Sequence, residues 1–90
     1  MTSAPPDLTA PLTPDEATTL DAQIVAWHAE ENTTQLAYGY RTGGQSAALR
    51  GDIDAACFLY TQAYVFALRA GLLEVANGLW SRLKSYDREA

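Results

Sequence analysis

His28 and Glu31 stand one helical turn apart, a spacing that could share a metal ion or a proton. The chain holds one histidine and one cysteine, Cys57, so neither a histidine-rich nor a cysteine-rich zinc site can be assembled. The bland alternative for His28, an edge-of-core histidine beside a surface glutamate, is the stronger reading. Cys57 opens an apolar stretch with no histidine at a useful spacing, and it reads as a small core residue instead of a nucleophile. The run Arg41-Thr42-Gly43-Gly44-Gln45-Ser46 is glycine-rich, but it lacks the lysine of a phosphate loop and no strand precedes it. Glu30 and Glu31 look like a solvated face, not a paired acid–base site. The residue inventory therefore predicts no catalytic residue, no metal and no cofactor, and a chain that is not an enzyme.

Ninety residues allow one domain. All four prolines fall in the first fourteen residues, which predicts a disordered proline-rich tail over 1–12 and a single helical domain over 13–90. Residues 1–40 carry Asp7, Asp15, Glu16, Asp21, Glu30 and Glu31 with no Lys or Arg, a charge of −6. Residues 41–90 carry six basic and five acidic side chains, or +1, and the two parts sum to the net −5. An acidic surface disfavours nucleic acid and anionic membranes and suits a basic partner. The start of the chain has neither the basic opening nor the apolar run of a signal peptide, and Arg69 and Gly71 interrupt the most apolar segment short of a membrane span. A cytoplasmic location is expected.

The elements follow from their start and stop signals. Thr13-Pro14-Asp15-Glu16 opens a first helix with a cap, a first-turn proline and a capping-box glutamate. Leu20, Ile24 and Trp27 give that helix its apolar stripe to about Glu31. A break is expected at Asn32-Thr33-Thr34, with Asn32 capping a second helix over Gln35–Leu49. Gly39, Gly43 and Gly44 cost that helix roughly 1 kcal/mol each against alanine, so either a neighbour packs closely there or the helix is broken. Gly51 and Asp52 then stop it and cap a third helix, Ile53 to Ala70, which Gly71 ends. No charge falls between Asp54 and Arg69, and the large apolar side chains go round the whole circumference, so helix three wants neighbours on every side. A fourth helix carries Leu72, Val75, Ala76, Leu79, Leu83 and Tyr86 on one stripe. With no strand signal, the fold class is all-α: an antiparallel array of about four helices.

Tyr40, Gly44, Ala47 and Gly51, followed by Ile53, Ala56, Tyr60 and Ala63, have the order and spacing of aromatic, small residue, turn glycine and small–aromatic–small. Over residues 36–68 this resembles the tetratricopeptide repeat, two helices that approach closely where their facing residues are small. Gly43 and Ala47 depart from the family, which prefers large residues there. Leu68 stands where the family often has proline, which implies a longer third helix. A step of thirty-four residues maps Ala56, Tyr60 and Ala63 onto Ala22, Ala26 and Ala29, and Gly44 onto Gly78, while Tyr40 meets Glu74. The resemblance implies a repeat hairpin flanked by capping helices, and a peptide groove at Tyr38, Arg41, Gln45 and Ala48.

Two functional classes are compatible with these residues. The first is a protein–protein interaction module (an adaptor, chaperone or regulatory subunit) that binds a protein partner or its own copy as a homodimer. It would dock through an apolar surface on helices three and four that includes Phe58, Tyr64, Val65, Phe66 and Trp80, with Tyr38, Arg41 and Gln45 as the groove. The second is a small-ligand or metal-binding subunit with a pocket near His28, Tyr38 and Arg41.

Overall fold

The computed structural model describes residues 5–86, and these form four helices in chain order: α1 (Pro14–Ala29), α2 (Thr33–Leu49), α3 (Ile53–Ala70) and α4 (Leu73–Ser85). Among the described residues there is no strand, and the architecture is the all-α four-helix array. Residues 1–4, part of the expected tail, and 87–90 lie outside the described residues.

Local chemistry accounts for the boundaries. At Thr13 the capping box is complete: its hydroxyl accepts from the Glu16 N–H at 3.2 Å, and the Glu16 carboxylate accepts from the Thr13 N–H at 2.9 Å. The break before α2 is real, and α1 ends at Ala29, two residues short of the expected Glu31. Asn32 Oδ1 accepts from the Gln35 N–H, which places Thr33 and Thr34 inside the first turn of α2. Between the two helices Glu31 adopts a left-handed φ of 56°, the one positive φ outside glycine among the described residues. Asp52 caps α3 through the Ala55 N–H, and Gly71 closes it at φ 75°, a conformation that an L side chain resists.

The three glycines of α2 do not break it. A Cβ on Gly44 would lie 2.6 Å from the ring of Tyr60, and one on Gly39 would lie 2.9 Å from the indole of Trp27. Gly44 thus admits α3 on one side of the helix, and Gly39 admits α1 on another. Tyr60 is fully buried, and Ala47, Ala56, Ala63 and Ala67 around it have no exposed surface. Leu79 and Leu83 of α4 complete this core.

α1 is attached differently. None of its residues is buried, and Ala22, Ala26 and Ala29, which the thirty-four-residue step assigns to close helix contact, are exposed. It packs through its half-buried Leu20, Ile24 and Trp27 stripe, whose side chains meet the α2 glycines. α3 is covered on three sides and bare on the fourth, where Phe58 is 63 % exposed, Val65 39 % and Leu68 47 %.

The contrast between two glycines gives a direct check on the packing. Gly44→Ala forces a methyl group into an aromatic ring that has no room to retreat, and should cost about 1–3 kcal/mol as an overpacking substitution. Gly78 of α4 has nothing within 4 Å of an added Cβ. Gly78→Ala should therefore stabilise by about 0.5–1 kcal/mol through helix propensity alone. Urea midpoints moving in opposite directions would establish the pair of effects; a neutral Gly44→Ala would contradict the close approach.

Candidate functional site

α2 presents two different chemistries on opposite faces. Tyr38, Arg41 and Gln45 recur at helical spacing along one face, while Tyr40, two residues from Tyr38, looks the other way. The Tyr38 face does not lie open. Residues 5–12 cross it as a non-helical arm, tied down by side chains of α2. Arg41 Nη2 donates to the Pro5 carbonyl at 2.9 Å, with its guanidinium carbon 5.4 Å from the Tyr38 ring centroid. Gln45, only 5 % exposed, uses both ends of its amide: Nε2 donates to Asp7 Oδ1 at 2.7 Å, and Oε1 accepts from the Leu8 N–H at 3.1 Å. Ser46 Oγ accepts from the Leu12 N–H at 3.0 Å and from Arg50 Nη1 at 2.9 Å. The span read from composition as disordered is thus, over its described part, an ordered strap.

Beside the arm, α2 and α4 leave a cavity of about 300 Å³ onto which Asp7, Arg41, Gln45, Glu74 and Arg82 open. Arg82 reaches inward from α4 to donate to the Tyr60 hydroxyl at 3.2 Å, with its guanidinium carbon 5.5 Å from the ring centroid. The one buried side-chain polar atom lacking a hydrogen-bond partner among the described residues belongs to this face, the Nε of Arg41.

No family model, curated protein or solved structure matches the chain. The site must be read from its own geometry.

On the opposite face, His28, Tyr40 and Phe66 form an aromatic cluster. His28 Nε2 lies 2.8 Å from the Tyr40 hydroxyl, and its ring meets Tyr40 and Phe66 edge-on at centroid distances of 5.9 and 5.4 Å. Tyr40 and Phe66 stack at 5.8 Å and 2°. The structure therefore separates the expected pocket residues: His28 lines a cavity of about 490 Å³ with Glu31, Leu36, Phe66 and Arg69, whereas Arg41 and Tyr38 serve the arm face. Among the described residues no group of three or more His, Cys, Asp and Glu side chains could hold a metal ion, and Cys57 is buried.

The four aromatic residues expected on one docking surface are also dispersed. Phe58 stands alone on the bare face of α3. Tyr64 is half-buried against Trp80 of α4, ring centroids 6.0 Å apart, and Phe66 faces α1 and α2. The bare stripe comprises Phe58, Val65 and Leu68. Sequence reasoning included Val65 but grouped it with Tyr64 and Phe66, and it missed Leu68, because a helix apolar on every side carries no polar stripe to set its phase.

Burial pushes the Tyr60 hydroxyl above its ordinary value of 10.0, partly offset by the hydrogen bond and charge of Arg82. An unfolded chain ionises this phenol near 10.0, while the folded chain holds its proton to higher pH. Between those two values the unfolded state binds fewer protons, so stability falls as pH rises. The urea midpoint of the wild-type protein should drop above about pH 10 more steeply than that of Tyr60→Phe, whose loss from Tyr60 is removed. Parallel profiles would show that Tyr60 carries no such linkage.

Proposed function

We propose that this chain is a protein-interaction module that docks a protein partner through the outer face of α3. The observation that carries the reading is the exposure of Phe58, Val65 and Leu68 along one side of the helix whose other sides form the core. A stripe of large apolar side chains at fixed positions on a packed helix gives a partner a preformed surface, so little ordering entropy opposes docking. Removing an exposed phenylalanine from water is favourable by about 1.5–3 kcal/mol, enough to make Phe58 the anchor of the surface. Asp15, Glu16 and Asp21 on α1, and Glu30 at its C-cap, lie exposed and favour encounter with a partner of basic surface charge.

Within this class the chain would serve as an adaptor, chaperone or regulatory subunit, with self-association as the simplest form of docking. The small-ligand reading has less support, because His28 and Arg41 open onto different cavities. No helix among the described residues is long and apolar enough to cross a membrane.

Phe58→Asp and Val65→Asp test the reading without threatening the core, since both side chains are exposed. Both variants should keep wild-type helicity and thermal midpoint. The mass measured by light scattering, or the set of proteins captured by the tagged wild type, should shift to that of an isolated chain. Wild-type assembly in both variants would contradict the proposal.

A further inference from the structure

The arm face of α2 is a second binding surface, independent of the α3 stripe, and its present occupant shows what it takes. Among the described residues, the hydrogen bonds that seat the arm join helix side chains to features that any non-helical peptide offers: Arg41 donates to a proline carbonyl, Gln45 donates to a carboxylate and accepts from the next N–H, and Ser46 accepts from a further N–H. Gln45 is nearly buried and both ends of its amide are spent on the arm, a commitment that a merely solvated glutamine does not make. Arg41 and Arg82 set two positive charges against the single Glu74 in the part of the lining that the helices supply, a net positive lining beside Asp7 of the arm. Pro5, Pro6 and Pro11 bias the backbone around them towards extended conformations, on either side of a bend at Thr9-Ala10, which lowers the entropy lost on docking.

We propose that the groove between α2 and α4 is a binding site for an extended, proline-containing acidic peptide segment, and that residues 5–12 are a resident competitor that occupies it in cis. The match between arm and groove is incomplete. Arg41 spends Nη2 on the Pro5 carbonyl, while the Nε of the same guanidinium stays buried without a partner among the described residues. The arm is held by side-chain bonds and by its half-buried Pro5, Leu8 and Leu12, and it belongs to no helix. An incoming segment of the same chemistry replaces those bonds one for one, so the surface exchanges its own arm for a partner's segment.

A labelled peptide of the sequence of residues 1–12 probes the site in the full-length protein. The double variant Asp7→Arg, Leu8→Pro loosens the arm, because it removes the carboxylate on Gln45 and the N–H that its Oε1 accepts. A tethered segment competes at an effective concentration in the millimolar range, so the loosened variant should bind the peptide about tenfold or more tightly than the wild type. Adding Gln45→Ala to the loosened variant should remove that gain, and the loosened variant should prefer the native peptide over one carrying Asp7→Ala. Far-UV circular dichroism confirms that each variant retains its helices. Equal binding to wild type and loosened variant, or a gain that survives Gln45→Ala, would overturn the proposal. Phe58→Asp in the loosened background should leave peptide affinity unchanged, which separates this site from the α3 stripe.

Discussion

The approach of Tyr60 to Gly44 is the contact on which the other packing depends. Any side chain at position 44 would hold α3 away from α2, and the alanines at 47, 56 and 63 could then no longer bury their methyl groups completely. The seam between α2 and α3, chiefly alanines around one tyrosine, offers little apolar area per residue, so it is stable only when helix backbones come close. Tyr60 also extends the contact outward, since its hydroxyl accepts from Arg82 and so links the α2–α3 hairpin to α4.

This geometry separates the two surfaces. With Tyr60 wedged against Gly44, the outer face of α3 is turned from α2 and keeps Phe58, Val65 and Leu68 in solvent. The same wedge leaves Arg41 and Gln45 on the α4 side of α2, where the arm crosses, and places Tyr40 with His28 and Phe66 on the other. α1 rests on the hairpin through side chains set against Gly39 and has no buried residue of its own. The hairpin is the frame, and α1, α4 and the arm are hung from it.

Much of the frame was legible in the chain. Thr13, Asn32, Asp52 and Gly71 mark helix ends by mechanisms that act within a few residues, and each does so in the structure. The small residues Gly44, Ala56 and Ala63 do stand where α2 and α3 approach, and Tyr60 lies directly against Gly44 instead of filling space beside it. Two features were not legible, each for a physical reason. The arm is polar and proline-rich, and what orders it is a glutamine and a serine more than thirty residues away, which local composition does not register. The phase of α3 was hidden by the absence of charge along it, so Phe58, Tyr64 and Phe66 could not be assigned to faces. The leucine–isoleucine–tryptophan stripe of α1 was legible in its spacing and meets the α2 glycines, whereas the alanines of the thirty-four-residue step stay exposed. The polar pair Gln45-Ser46 between Gly44 and Ala47 was the available clue, two hydrogen-bonding side chains within a run of small residues.

Residue-resolved amide hydrogen exchange on the full-length protein tests the central claim, that the α2–α3 hairpin is the frame and α1 an attachment to it. Amides of α2 and α3 around Gly44 and Tyr60 should exchange only through global unfolding, while those of α1 should open at lower free energy. Exchange from α1 as slow as that around Tyr60 would contradict the account.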